Sequence, residues 1–234
     1  MSRKAKKQRR PTQREFPVLI GVPVPTMDHK VNSGLSVFMA GCTMRHIAEP
    51  YGQPSRDATP GRNKIIRDFL TNPQYQSMTH LLFMDADTCP INPYAVERLL
   101  SHQKDVVAGV TPILMVNTKL PTLWWNVVPE GGKGNMPINQ LPKDLFKADK
   151  VGGTTILVHR RVLEAMEPPY QKVTYDESHI EYTQSEDYYF CDKIRAAGFN
   201  IWVDPTIMCH HWHTMDMMMI VQMIIRAAYG NKEN

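Results

Sequence analysis

Three groups of side chains in this 234-residue sequence are candidates for binding a metal ion or moving a proton. Asp85 and Asp87 follow the apolar run LLFM, Glu186 and Asp187 stand in SEDYYF, and three histidines occupy HHWH at 210–213. Carboxylates and imidazoles bind divalent cations such as Mn²⁺ and Mg²⁺, and both also serve as general bases. Such chemistry requires a fold that brings the three places together.

Asp85 and Asp87 come directly after a predicted buried strand, and residues two apart on a strand share one face. In an open α/β sheet, ligands bind at the carboxyl ends of the strands. Two carboxylates there repel each other unless a cation or a shared proton lies between them. The pair therefore predicts a Mn²⁺ or Mg²⁺ site, although helix capping or simple solvation would also explain two isolated acids.

The other two places agree with a site at the same edge. HHWH follows the predicted strand FNIWVDP, so a histidine there could supply a third ligand to the metal. Glu186 and Asp187 begin a predicted helix that Ser185 caps, where the helix dipole keeps acids ionised. An ionised acid suits a general base, and a purely structural role would explain the pair equally well.

The elements between these places alternate between buried strands and amphipathic helices. Strands are predicted at 16–24, 81–84, 105–110 and 199–205, and helices at 62–70 and 185–198, an order typical of an α/β sheet with parallel pairs. The turn formers of 49–61 predict an ordered loop or a lid. Residues 126–150, rich in Gly, Pro and Lys, predict an exposed excursion, and 214–230 predict a C-terminal helix.

The charge is unevenly distributed along the chain. The formal net charge is +4, but the first 14 residues hold seven Lys or Arg and no acid, so the remainder is mildly acidic. We expect residues 1–15 to form a disordered basic tail, with a weak membrane-surface or nucleic-acid contact through 3–14. The sequence contains no transmembrane segment or secretory signal, and its four cysteines are widely spaced, which predicts a cytoplasmic protein with reduced thiols.

Six segments occur in an order that resembles GT-A glycosyltransferases of the family 2 type, over roughly 17–213. They are VLIGVPV, GRNKIIRDFL, HLLFMDADTCP, VVAGVTP, VGGTTILVHRRVLEAM and SEDYYFCDKIRAAGFNIWVDPTIMCHHWH. The resemblance implies one α/β GT-A (Rossmann-like) domain over 16–234, with a mixed, mostly parallel central sheet flanked by helices. It also implies metal-dependent transfer of a sugar from a nucleotide-sugar donor, most often a UDP- or GDP-sugar, to a hydroxyl acceptor that the sequence leaves unknown.

The resemblance also assigns roles to individual residues. Asp85 and Asp87 would form the DxD motif that holds Mn²⁺ or Mg²⁺, with His211 as the late metal-binding histidine and His213 as second choice. Asp187, beside Glu186, would be the catalytic base. Asp87 is expected to reach the metal directly, and Asp85 to face the ribose. The residues expected to contact the nucleotide-sugar are Pro23, Val24, Thr26, Arg62, Asn63, Asp85, Ala86, Asp87, Gly152 and Gly153.

Three other functions share part of this pattern. A sugar-phosphate nucleotidyltransferase would carry a Gly-rich basic loop after the first strand, where 25–34 offers only Lys30 and Gly34. A haloacid-dehalogenase-type phosphatase would carry Thr at the fifth position of its motif, where this chain has Cys89. A non-catalytic nucleic-acid-binding protein would act through the basic tail, so that deletion of 1–14 would abolish its function.

Overall fold

The computed structural model describes residues 16–25, 31–115, 122–178 and 180–229. The predicted basic tail and the predicted donor contact at Thr26 lie outside these residues. Six α-helices occur in the described chain: α1 Ser33–Met44, α2 Ala58–Thr71, α3 Ala95–Ser101, α4 Arg160–Glu164, α5 Glu186–Ala196 and α6 Met217–Tyr229. The last of them lies within the range predicted for the C-terminal helix.

Fourteen strands accompany these helices in the described residues. They are β1 Val18–Pro25, β2 Ala48–Ser55, β3 His80–Phe83, β4 Thr88–Pro90, β5 Val106–Val110, β6 Pro112–Met115, β7 Thr122–Trp125, β8 Val127–Pro129, β9 Met136–Pro137, β10 Phe146–Val151, β11 Ile156–His159, β12 Thr174–Tyr175, β13 Tyr182–Gln184 and β14 Ile201–His211. Nine strands form the main sheet, in the order β2-β1-β3-β11-β5-β14-β10-β8 with β4 beside β14. Strands β6, β7 and β9 form a separate small sheet, as do β12 and β13.

The main sheet is mixed, and most of its strands point the same way. β2, β1 and β3 are mutually parallel, as are β5 and β14, whereas β11 and β10 each run antiparallel to both of their neighbours. Helices cover both faces. The predicted fold class, a single α/β domain with a mixed, mostly parallel sheet flanked by helices, is confirmed.

Two apolar clusters hold the helices against the two faces of the sheet. Leu19 and Leu81 point to the face covered by α2, α4 and α5, while Ile20 and Leu82, one residue further along each strand, point to the face covered by α1 and α3. Alternating side chains of one strand thus enter different clusters. Because both faces are buried, these strands read in the sequence as continuous apolar runs.

Two sequence predictions need correction. The segment 49–61 is largely the strand β2 and the start of α2, not a loop or lid; its prolines, Pro50 and Pro54, are tolerated because β2 is the edge strand. The predicted excursion 126–150 is wrong at both ends, where β8 and β10 pair within the main sheet and bury Val127, Val128 and Ala148. The three residues of β8 are too few to show a periodicity.

The four cysteines are all buried and free of disulfide bonds. No helix of the described residues combines the length and the apolar character needed to cross a bilayer.

Candidate functional site

Asp85 and Asp87 lie in the turn that joins β3 to β4. The turn is held at each residue: Asp85 N–H donates to Thr154 Oγ1 (3.2 Å), Ala86 C=O accepts from Asn32 N–H (2.8 Å), and Asp87 C=O accepts from Trp212 N–H (3.0 Å). Because β3 ends at Phe83, the two acids are not alternate positions of one strand. The prediction that they share a strand face is therefore wrong, and their carboxylates have different partners.

The partner of Asp85 is Arg62, which α2 contributes. The Arg62 side chain is only 3% exposed, and its Nη2 lies 2.5 Å from Asp85 Oδ1. Its Nη1 lies 3.3 Å from Glu186 Oε1 and also forms an ion pair with Asp187 Oδ1. A guanidinium can contact several carboxylates at once because it presents five N–H donors in a fixed plane. Arg62 therefore compensates part of the negative charge that follows β3.

Glu186 and Asp187 reach Arg62 because they form the first turn of α5, capped by Ser185, whose Oγ accepts from Tyr188 N–H (3.3 Å). Burial raises the pKa of Asp187, Arg62 opposes the rise, and the net pKa is about 6. Burial would lower the pKa of Arg62, but the neighbouring carboxylates, led by Asp187, raise it above its usual value. Arg62 is thus charged throughout the physiological range, whereas Asp187 changes charge within about one pH unit of neutrality.

Asp87 turns the other way, towards His211. The antiparallel pairing of β4 with the end of β14 aligns Thr88 with His211, and Asp87 Oδ2 then lies 3.7 Å from His211 Nε2. His211 Nδ1 donates to the carbonyl of Pro112 (2.9 Å), which leaves Nε2 facing Asp87. Burial alone would lower the pKa of His211 and raise that of Asp87. Their interaction outweighs burial, so the pKa of His211 is raised and the pKa of Asp87 is lowered.

Asp87 and His211 can supply part of the ligand set of a divalent cation. Within the described chain, no group of three or more His, Cys, Asp or Glu side chains is arranged around one metal position. Asp87 and His211 nevertheless offer an oxygen and a nitrogen towards one point, and the bond from His211 Nδ1 to a carbonyl is the support usual for a metal-binding imidazole. Mg²⁺ and Mn²⁺ sites commonly use one or two protein ligands completed by phosphate oxygens and water.

A cavity of about 310 Å³ is lined by Asp87 and His211 and also by Arg62 with its three carboxylate partners. Its lining comes from the ends of β1 and β2, the starts of α2 and α5, the 85–87 turn and the end of β14: Pro23, Ser55, Asp57, Ala58, Arg62, Asp85, Ala86, Asp87, Glu186, Asp187 and His211. The sequence interpretation missed Ser55, Asp57 and Ala58 because it treated 49–61 as a loop. Asp57 precedes α2 without making a capping hydrogen bond, a signal that only the structure supplies.

Four predicted donor contacts do not line this cavity. Val24 packs on the apolar cluster that α1 covers. The amide of Asn63 binds the backbone at 170–171, because one helical step turns it about 100° away from Arg62. A Cβ at Gly152 would strike Asn126, and one at Gly153 would strike Arg62 and Asp187. Gly153 thus makes room for that ion pair.

His213, the second choice for a metal ligand, lies one layer behind His211. Its Nε2 is 3.3 Å from His211 Nδ1, on the side away from Asp87. Burial and the neighbouring His211 lower its pKa. Of the two histidines, His211 alone lines the cavity with the acids.

The chain resembles known proteins in fold but not in sequence. No protein-family model matches the chain, and no curated protein has a significantly similar sequence. Among solved structures, A197 from STIV, a viral protein, is 15% identical over 85% of this chain and 87% of its own, with a TM-score of 0.56. The structure of GalNAc-T7 with UDP, GalNAc and Mn²⁺ is 9% identical over 86% of this chain and 44% of its own, with a TM-score of 0.50.

GalNAc-T7 is a GT-A glycosyltransferase. The present chain has a GT-A-like fold. Its cavity lies at the carboxyl ends of three neighbouring parallel strands, marked by Pro23 of β1, Ser55 of β2 and Asp85 after β3. That edge is where open α/β sheets bind their ligands.

Proposed function

We propose that this chain is a metal-dependent glycosyltransferase that moves a sugar from a nucleotide-sugar donor to a hydroxyl acceptor. The observation that carries the proposal is the cavity itself. It places the Asp87–His211 pair beside the acids held by Arg62, at the ligand-binding edge of a GT-A-like fold. The first pair suits the donor's diphosphate, and the second suits the acceptor.

In the donor half, Asp87 and His211 would hold Mn²⁺ or Mg²⁺, which would stabilise the negative charge that develops on the departing nucleoside diphosphate. Asp85 stays with Arg62 and adds negative charge to the same wall of the cavity. Pro23, Ala86 and the newly recognised Ser55 and Asp57 would line the space for the nucleotide. UDP- and GDP-sugars are the donors that we would test first, and the structure of GalNAc-T7 contains UDP and Mn²⁺.

In the acceptor half, Asp187 is the candidate general base. Its pKa of about 6 leaves it ionised at neutral pH and close enough to neutrality to accept a proton from an attacking hydroxyl. Arg62 orients the carboxylate through Oδ1, and Gly153 donates its backbone N–H to the same side chain. When Asp187 takes up a proton, Arg62 keeps Asp85 and Glu186 as partners, so the guanidinium is not left unpaired.

The test is a screen of UDP-, GDP-, CMP- and dTDP-sugars for hydrolysis and for thermal stabilisation with Mn²⁺. We expect at least one donor to raise the melting temperature only when Mn²⁺ is present, and we expect Asp87→Ala and His211→Ala to remove that increase. Asp149→Ala, in an ion pair with Arg195 outside the cavity, is the matched control and should retain it. Failure of every donor to stabilise the chain with Mn²⁺ would contradict the proposal.

The products separate the proposed activity from its alternatives. A glycosyltransferase releases a nucleoside diphosphate from a UDP-, GDP- or dTDP-sugar, or CMP from a CMP-sugar, whereas a sugar-phosphate nucleotidyltransferase releases pyrophosphate from a nucleoside triphosphate. Deletion of residues 1–14 should leave donor turnover intact. Loss of the protein's activity together with this basic segment would instead favour nucleic-acid binding.

A further inference from the structure

A second cavity, of about 350 Å³, lies between the small β6–β7 sheet and α6, beside the candidate site. Its walls are apolar and come from two sides, with Ile113, Leu114 and Leu123 on the sheet and Ile220, Met223 and Ile224 on the helix. The volume lies within the range of small-molecule sites. His211 lines both this cavity and the first one, so the apolar space adjoins the candidate site at this side chain.

The apolar surface continues from this cavity to the outside. Ile224 lines the cavity and yet is 61% exposed, so the cavity opens on the outer side of α6. Beside that opening, Met217, Met218 and Ile225 are exposed as well. Residues 217–225, MMMIVQMII, contain one polar side chain. A helix that is apolar on nearly all sides and remains exposed needs an apolar environment.

The chemistry of the lining favours a hydrocarbon chain over a peptide. The polar side chains that line the cavity are His211 and His213, and the rest are aliphatic, Met or Pro. An extended peptide placed there would leave most of its N–H and C=O groups without partners, at a high cost in free energy. A hydrocarbon chain requires none.

We propose that this cavity binds the hydrocarbon chain of an amphiphilic acceptor taken from a lipid bilayer, whose hydroxyl head then lies past His211 in the candidate site. The inference rests on the proposed glycosyltransferase function and adds the class of acceptor to it. The outer face of α6 contacts the bilayer. The seven Lys and Arg of residues 1–14 complement anionic headgroups, so that charge and apolar surface together provide two signals for membrane binding.

The first experiment measures chain binding without any turnover. Dansyl-undecanoic acid should bind the full chain saturably, and Leu123→Gln and Ile220→Gln should each weaken it, because they place an amide in opposite walls of the cavity. Met218→Gln, which alters an exposed side chain of α6 that does not line the cavity, is the matched control and should bind as the wild type does. Absence of saturable binding, or equal loss in Met218→Gln, would overturn the proposal.

The second experiment uses vesicles. The chain should float with vesicles of phosphatidylcholine and phosphatidylglycerol more than with phosphatidylcholine alone, and the double variant Met218→Gln/Ile225→Gln should float less. Light scattering tests the other occupant, a second copy of this chain. A stable dimer that does not float with either vesicle would overturn the proposal.

The third experiment uses turnover. With a donor found in the screen, alkyl glucosides should be better acceptors than methyl glucoside, KM falling about fourfold for each methylene that the cavity buries. Leu123→Gln should remove this dependence and leave donor hydrolysis by water unchanged. Equal KM values for octyl and methyl glucoside would overturn the inference. Failure of the proposed function would instead appear as absence of donor turnover while dansyl-undecanoic acid still binds.

Discussion

Two carboxylate clusters of this chain are built in opposite ways. Asp204, in β14, is 1% exposed, and both of its oxygens are fully used. Oδ1 accepts from Thr206 N–H (2.9 Å) and Oγ1 (2.6 Å), while Oδ2 lies 2.8 Å from Arg98 Nε and 2.6 Å from His102 Nε2. Burial alone would raise the pKa of Asp204, but these partners lower it to about 2.

The cluster around Arg62 has the reverse balance. One guanidinium pairs with three carboxylates, those of Asp85, Glu186 and Asp187, and its own Nε is buried without a hydrogen-bond partner in the described chain. Here burial prevails, and the pKa of Asp187 rises to about 6. Acidic charge therefore exceeds basic charge in a wall that faces an open cavity.

The difference separates a structural cluster from a functional one. A carboxylate that only supports the fold is best held ionised by several donors, as Asp204 is. A carboxylate that must exchange a proton needs a pKa near the working pH, and burial beside other acids produces one. The same substitution, Asp→Asn, should therefore have opposite consequences in the two clusters.

The largest expected effect is that of Asp187→Asn on catalysis. Removal of a general base lowers kcat by about a thousandfold. The melting temperature should be unchanged or higher, because a carboxyl group whose pKa is raised on folding destabilises the native state at neutral pH and Asn removes that cost. Both quantities are measured on the same sample, by donor turnover with acceptor and by thermal unfolding. A clear fall in melting temperature would make Asp187 a structural residue like Asp204.

Arg62→Met should have the next largest effect, a loss of about 3 kcal/mol in the free energy of unfolding, because three carboxylates lose their shared buried cation. The loss should be smaller at pH 5 than at pH 8, since protonation of Asp187 relieves the repulsion at low pH. Arg67→Met, at an exposed position of α2, is the matched control and should change stability little. Equal losses at both pH values would show that packing, and not charge, accounts for the effect.

Much of the scaffold of these clusters could be anticipated from the sequence. β3 is apolar after His80, and α5 has a serine cap, acids in its first turn and a glycine after its end, so local signals agree with the fold. β2 could not be anticipated because its prolines indicate a turn. The short β8 carries too few residues for a periodicity.

The acids and the histidine of the candidate site were predictable from the sequence, but their pairing was not. Both acids of the 85–87 turn, both acids of α5 and His211 do line one cavity, as the order of strands indicates. Which acids share a cation depends on Arg62, because Arg62 binds Asp85, Glu186 and Asp187. Arg62 is more than a hundred residues from Glu186 and Asp187 in the chain. Local periodicity carries no information on such a contact, so Arg62 was assigned to the nucleotide and not to the acids.

Asp204→Asn should lower the free energy of unfolding by about 2 kcal/mol at neutral pH. This value follows because the pKa of Asp204 is about 2 in the folded state and 3.8 in the unfolded state. A lowered folded-state pKa contributes stability above the unfolded-state value, and this contribution disappears as pH falls from 3.8 to about 2. The difference between variant and wild type should therefore shrink over that range in urea unfolding experiments. Donor turnover by the folded variant should equal that of the wild type, since Asp204 does not line the cavity.

The smallest of these effects is the pH dependence of kcat, which is measured first in the wild type. Asp187 must be ionised to accept a proton, so kcat should decrease about tenfold for each pH unit below its pKa of about 6 and level off above it. The Asp204→Asn variant should show the same profile, because the two clusters titrate separately. Arg62→Lys should move the midpoint, since a cation with different geometry alters the interaction that opposes the effect of burial on Asp187. A midpoint that remains at about 6 in Arg62→Lys would assign the titration to a group other than Asp187.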